Sequence, residues 1–475
     1  MKSSVLAIIC LLLITALYLA SGPWKNLIVS GSEQDQGVRE ASPARESLPS
    51  SRIPASFGAC HYYASPFGGG NGSSPLRPFK VAQFWSVAGP GKILCLLDGM
   101  YTGDDSMIDP PHDLSGAPGR PIAVRSLTEG KVTINGQGAR IPVLLNRNSY
   151  FVLEGFNAHS SKSGVVRLNR ADHNVVRRVA AWDAADGNSA IVSVSNSEYV
   201  LFEDLAAWGI GRKVFQASQG GNHVTCRRCW GRWEGSHFMG PKLTYSLAYN
   251  NYDMTIENSI GTWSGEKMQE SYFLRCNDWR AYARCGRYMT DYAVDQPEAV
   301  FGVDAMTKGS KAARSRILGS IAYVTAKDRF EGHSLFWVTN LDAIEYRNNA
   351  AFVDPVHEGK RPFALYGMKG GGAEALVARN LTAIGARPSL VHSSWRTSRV
   401  LERRSTDKAG NIFAGTQGAR ICKRYKDAIL TDEPLWPWPM NDRIIAAMIE
   451  SGRAPIDVTK TIEAIFGSIP SQCRS

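Results

Sequence analysis

Leu153-Glu154-Gly155-Phe156, Val176-Arg177-Arg178-Val179, Phe202-Glu203-Asp204-Leu205, Cys226-Arg227-Arg228-Cys229 and Ile256-Glu257-Asn258-Ser259 are five versions of one four-residue pattern. An apolar residue, two mostly polar ones and a further apolar or small one return at steps of 23, 26, 24 and 30 residues. That period is too short for a domain and too long for a hairpin. It suits one coil of a solenoid, whose apolar positions are buried only when the next coil stacks on them. With the third position as marker, the column continues through Gly319, Asn349, Asn380 and Asn411. The interval of 61 residues between Asn258 and Gly319 predicts one further coil hidden there. Asn tolerates a left-handed backbone, and its amide can bond the equivalent residue one coil on. The marker therefore reads as a turn ladder, with Asn349, Asn380 and Asn411 expected one above another.

The segments around the marker are short and β-branched, as in Val165-Val166-Arg167-Leu168, Ile191-Val192-Ser193-Val194 and Val214-Phe215. No amphipathic helical window interrupts residues 122–418, which excludes alternating strand and helix units. A propeller would need about 40 to 50 residues per blade. The predicted fold is all-β: a single-stranded right-handed parallel β-helix, closed by an N-terminal capping helix and a short helical C-terminal cap.

Working outward, residues 1–21 hold one early cation, Lys2, and an apolar run from Val5 to Ala20. This reads as a secretory signal, with an uncleaved N-terminal membrane tether as the alternative. Residues 22–58 are rich in Ser, Pro, Glu and Arg and read as a disordered linker. The β-helix is assigned to 59–425 and a capping tail to 426–475. In that tail Asn441 and Asp457 are placed as N-caps of two helices, Asp442–Glu450 and Val458–Phe466, expected to cover the last coil with Trp436 and Trp438.

The 475 residues carry a net charge of +11, which favours a polyanionic partner. No nucleic-acid motif is present, and the chain is read as an exported monomer in a periplasmic or extracellular setting. Eight of the nine cysteines fall outside the leader, an even number that permits disulfides without fixing their connectivity. Cys226 and Cys229 occupy slots filled by Val176 and Val179 and by Phe202 and Leu205 in preceding coils. They are expected to lie buried in the coil as small hydrophobes and to bind no metal.

Cys60 to Tyr101 contains His61-Tyr62-Tyr63-Ala64-Ser65-Pro66, the Gly68 to Gly72 run, Pro78-Phe79-Lys80, a short helical stretch to Trp85, Gly89-Pro90-Gly91 and Leu96-Leu97-Asp98-Gly99-Met100-Tyr101. This opening resembles that of secreted right-handed β-helix proteins, among them the calcium-dependent polysaccharide lyases of the pectate and alginate lyase-like superfamily. The resemblance implies that the first strand and a capping helix close the open end of the solenoid. Phe79, Ala82, Phe84 and Trp85 are the residues to do so.

Chemistry is expected where one column carries polar groups on consecutive coils. After the repeated pattern come His159 to Lys162, Trp182 to Asp186, Trp208 to Lys213 and Arg232 to His237. Stacked coils are about 4.8 Å apart, so these groups would share a groove. Lyases of the resembled family bind calcium through acidic side chains on such coils and use a neighbouring Lys or Arg to take the proton beside a uronate carboxylate. By that resemblance Asp183, Asp186 and Glu234 are the Ca2+ ligands and Lys213 the base, its neutral form favoured by Arg212. Arg232 is then the carboxylate clamp or acid, and His159, Trp208, Arg212 and His237 contact substrate. The Arg-x-Pro-x-x-Arg signature of one pectate lyase group is absent, as is the Gly-His-Gly of β-helix polygalacturonases. The expected function is β-elimination on an anionic uronate polysaccharide. The alternatives are a non-catalytic envelope or glycan-binding solenoid, and an epimerase or glycoside hydrolase on the same fold.

Overall fold

The computed structural model describes residues 58–236, 242–263, 299–304, 315–324, 334–339, 344–347, 349–353, 361–366, 376–379, 382–384, 391–393 and 437–466. Their strands form three parallel sheets, here called A, B and C, which the chain visits in turn. One coil consists of Phe151–Glu154 in sheet A, Asn157–His159 in sheet B and Val166–Asn169 in sheet C. The next, Val175–Arg177, Ala180–Trp182 and Ala190–Ser195, pairs with it through Val175 to Val152, Ala180 to Asn157 and Val192 to Val166. Sheet A runs to eleven strands, B to ten and C to nine among the described residues. This is the predicted right-handed parallel β-helix.

The repeated pattern is the corner between sheets A and B. Leu153 and Phe156, Val176 and Val179, Phe202 and Leu205, and Cys226 and Cys229 all point into one apolar core. Between them one residue takes a left-handed backbone: Gly155 (φ 83°), Arg178 (50°), Asp204 (49°), Arg228 (52°), Asn258 (46°) and Gly319 (58°). That single residue swings the chain from one sheet to the next while keeping both neighbours inside.

Two expectations about register are corrected. Thr255, Ile256 and Glu257 pair directly with Arg316, Ile317 and Leu318, so no coil is hidden between Asn258 and Gly319. Leu318 pairs with Arg347, so Asn349 stands one place past the residue level with Gly319. Asn349 sits inside, where its Oδ1 accepts the Ser320 N–H at 2.9 Å and its Nδ2 donates to the Ile317 carbonyl at 2.8 Å. Asn380 and Asn411, the other two members of the expected stack, lie outside the described residues.

Next to this corner, the strands of sheet A carry a ladder of alternating charge: Glu154, Arg177, Glu203, Arg227 and Glu257 are register partners on five successive coils. Arg177 reaches Glu154 at 2.9 Å, and Arg227 reaches Glu257 at 2.7 Å and Glu203 at 3.6 Å. Arg177, Glu203 and Arg227 are buried. A slip of one coil would set like charges face to face, so the ladder fixes the stacking.

At the N-terminal end Tyr62–Ala64 pairs with Ile93–Leu96, and α1 (Val81–Phe84) closes the core with Val81, Phe84 and Phe79, as expected. A disulfide joins Cys60 to Cys95. Cys226 and Cys229 are buried in the coil interior as expected, and they are also disulfide-bonded to each other. Cys276, Cys285, Cys422 and Cys473 lie outside the described residues.

The C-terminal helices are α2 (Asn441–Glu450) and α3 (Val458–Phe466). Asp457 caps α3 as expected, its carboxylate accepting the Lys460 N–H at 2.9 Å. Asn441 is already the first residue of α2 and accepts the Thr459 N–H of α3 at 3.1 Å, so it caps the other helix. The pair covers the side of the solenoid, and the coil around Asn411 that it was expected to cover lies outside the described residues. Met440, Ile444, Ala447, Met448, Val458 and Ile462 pack sideways onto Ala180, Trp182, Ala206, Trp208, Trp230, Ile260 and Ile321, the outward residues of sheet B.

Candidate functional site

Sheet B alternates in the ordinary way: Ala181, Ala207 and Trp233 point into the core, and Trp182, Trp208 and Arg232 point out. His159 stacks on Trp182 with ring centres 4.6 Å apart and planes within 5°, and Trp182 stacks on Trp208 at 5.2 Å. The helices cover this stripe so fully that Trp208 has no exposed surface and Trp182 only 2%. Trp208 is therefore packing, not the substrate platform expected of it. Burial, its largest influence, lowers the His159 pKa to about 4, with Glu450 pulling it up and Arg453 pushing it down.

Polar contacts hold the tail at the edges of the stripe. Arg443 bonds Glu129 at 2.9 Å and Asn157 at 2.8 Å, and Glu450 accepts from Thr133 at 2.7 Å and from Asn157 at 3.1 Å. The third latch involves the predicted calcium ligands. Arg453 donates through Nη2 to Asp183 and through Nε to Glu234, both at 2.6 Å. Asp183 also accepts the Ile210 N–H at 3.1 Å, and it can do so because Gly209 has no side chain: a Cβ there would lie 2.3 Å from the carboxylate. Burial raises the Asp183 pKa, with Arg453 opposing and Glu234 adding to the shift. Arg453 itself is raised: burial works against its charge, but the Glu234 and Asp183 carboxylates outweigh that cost.

The expected residues are thus only partly brought together. Asp183, Glu234 and Arg232 meet, Arg232 Nε lying 2.8 Å from Glu234. Asp186 takes a separate bond from Ser236 Oγ at 3.3 Å. Arg212 is buried and bonds Asn188 at 2.6 Å. Lys213 is only 2% exposed, lies on sheet C, and has its Nζ 5.7 Å from the centre of the Tyr249 ring. The sequence pattern put it in one column with Asp183, whereas the fold places it on a strand of a different sheet. His237 lies outside the described residues. Asp183 and Glu234 do not fit a calcium site here, because Arg453 bridges both carboxylates and Arg232 also binds Glu234, which sets two cations where a third would have to enter. Sequence reasoning missed Arg453, Arg443 and Glu450. The available signal was the apolar outward column of sheet B, since a sheet apolar on both faces needs a cover.

A second ordered array lies at the corner between sheets C and A. Tyr150, His173, Tyr199 and His223, one per coil, stack at 4.7, 4.9 and 4.6 Å, all partly exposed and all with a left-handed backbone. The column ends at Asp253, whose carboxylate bonds His223 Nδ1 at 3.0 Å and Arg316 at 2.6 Å. Beside it Asn169 donates to Asn146 at 3.0 Å, and Arg147 and Arg170 are exposed.

No protein-family model matches the chain, and no curated protein does. Among solved structures, the pectate lyase Pel9A is 15% identical with a TM-score of 0.44, over 72% of this chain and 81% of that one. A rhamnogalacturonan lyase is 13% identical with a TM-score of 0.44, covering 87% and 99%. An alginate lyase from Paenibacillus sp. str. FPU-7 is 12% identical with a TM-score of 0.38, covering 69% and 96%. The similarity concerns the β-helix.

Proposed function

We propose that the protein is an exported glycan-binding β-helix protein that holds an anionic, uronate-containing polysaccharide along its coils, without calcium-assisted β-elimination on sheet B. The observation that carries this reading is the Arg453 bridge between Asp183 and Glu234, with Lys213 buried on another sheet. Two of the three predicted ligands, Asp183 and Glu234, are held in a structural latch, and the predicted base is buried on sheet C. The Tyr150–His173–Tyr199–His223 array is the better polymer surface. It repeats ring edges once per coil, about 4.8 Å apart, beside exposed arginines, and a linear polymer presents its own repeats to such a ladder. The net charge of +11 favours a polyanion, and the two disulfides support an oxidising compartment.

The test is a panel of pectate, alginate and glycosaminoglycans, followed by affinity electrophoresis and by absorbance at the unsaturated-uronate band. Retention should occur on one acidic polymer, weaken in Tyr199→Ala and His173→Ala, and bring no rise in absorbance. A rise that a calcium chelator abolishes would defeat the proposal. A second reading, glycoside hydrolysis, rests on Asp183 and Glu234 as a pair of carboxylates brought together by their shared bonds to Arg453. Release of reducing ends that Glu234→Gln abolishes would establish that alternative.

A further inference from the structure

Large apolar side chains left exposed are not spread evenly along the described residues. Of seven, five lie in the N-terminal cap and first coils: Phe67 (95% exposed), Leu76 (94%), Val87, Met100 (43%) and Leu127 (49%). Isolated exposed apolar residues are ordinary, whereas a cluster at one end of a solenoid marks a contact surface.

Three of the five are placed together by the fold. Ala64, Leu96 and Ser126 are register partners, so Ser65, Leu97 and Leu127 form one column at the corner between sheets A and B, with Phe67 two residues beyond Ser65. Pro66 packs on Gly99, where a Cβ would fall 2.9 Å from its ring, so Phe67 and Met100 each directly follow one member of a close contact. The loop that carries Phe67 and Leu76 cannot fold them inward. Gly70 N–H bonds the Pro78 carbonyl and Gly72 N–H the Arg77 carbonyl, both at 2.7 Å. A Cβ on Gly68 would meet the Phe79 carbonyl oxygen at 2.1 Å, and one on Gly70 the Arg77 oxygen at 2.4 Å. Backbone is packed against backbone, so the two apolar tips are held out in water. Arg77 is exposed on the same loop.

The chain enters the fold at this same end, where the Gly58 carbonyl accepts a bond from Arg125 at 3.2 Å. Upstream are the segment 22–57 and the apolar run from Val5 to Ala20. We propose that the N-terminal end of the solenoid is a membrane-interface contact, with Phe67, Met100 and Leu127 entering the headgroup region of an anionic bilayer to which the N-terminal segment tethers the chain. A single weak anchor holds poorly, and an apolar patch on a basic protein supplies the second. A second copy of the chain is the competing occupant.

The full-length protein is reconstituted in vesicles of phosphatidylethanolamine and phosphatidylglycerol, with an environment-sensitive fluorescent amino acid replacing Phe67, Leu127 or, as a control on the tail, the exposed Ile449. Lipids brominated in the upper acyl chain should quench the probe at 67 and 127 and leave 449 unaffected. With the probe at 127, the double variant Phe67→Ser and Met100→Ser should lower the ratio of lipid-contacting to free forms about tenfold or more per side chain. Equal access of aqueous iodide to all three positions with no lipid quenching would overturn the proposal. So would concentration-dependent shielding of position 67 without vesicles, which would assign the patch to a second copy.

Discussion

Acidification should weaken the fold through one ring, His159. Its imidazole lies flat on Trp182 beneath the C-terminal helices, its Nδ1 is 2.8 Å from Ser160 Oγ, and burial holds its pKa at about 4 against 6.5 in the unfolded chain. Between those values the unfolded state binds a proton that the native state lacks. Stability therefore rises with pH across this window: the contribution is complete above 6.5 and is lost as pH falls toward 4. At about 1.4 kcal/mol per pH unit the full difference is roughly 3 kcal/mol, of which about 2 to 3 kcal/mol should be lost between pH 7 and 4.5. Carboxylates titrate in the same range, so the effect must be read as a difference. Urea unfolding followed by near-ultraviolet circular dichroism, at both pH values, should show wild type losing that much more stability than His159→Phe, which keeps the stack and removes the proton. Identical pH dependence in the two proteins would refute the buried neutral imidazole.

Glu203→Ala should cost about 3 to 5 kcal/mol, because it strips the carboxylate from a buried ladder and leaves Arg227 and Arg228 with one partner fewer; an unchanged denaturation midpoint would show that the ladder does not set the stacking. Gly155→Ala should destabilise by about 1 to 2 kcal/mol or more, since it places a Cβ at φ 83° and 2.4 Å from Ser126 Oγ; a neutral effect in thermal unfolding would contradict the left-handed corner.

The coil was legible because its signal is doubled at every corner. Two inward apolar residues bracket one left-handed position, and the marker column lands on that position from Gly155 through Gly319. Register was harder beyond it. Spacing selects Asn349 from the Asn348-Asn349 doublet, while strand pairing sets Asn349 one place past the corner register. The long interval before Gly319 imitates two coils, while the ladder pairs its two ends directly and so counts one. At the candidate site, residue types were correct and directions were not. Lys213 follows Asp183 by one coil in the linear pattern, but the Gly209 to Gly211 turn has already carried the chain onto sheet C. Arg453 lies 219 residues after Glu234. Nothing in the local spacing around Glu234 could foretell it.

The stripe of Trp182, Trp208 and Trp230 shows how far composition alone can mislead. Aromatic residues outside a solenoid suggest a sugar platform, yet sheet B is apolar on both faces over consecutive coils, and such a face is stable in water only when covered. Burying a large side chain is worth about 1.5 to 3 kcal/mol, so six apolar side chains of the tail on this stripe contribute on the order of 10 kcal/mol. Thermal opening against that free energy is negligible, and no ligand of ordinary affinity could drive it. The tail is therefore part of the native coil wall, and Asp183 and Glu234 belong to its anchoring. Glycan recognition then falls to surfaces the tail leaves open, and the stacked Tyr and His column at the opposite corner is the one that repeats in step with the coils.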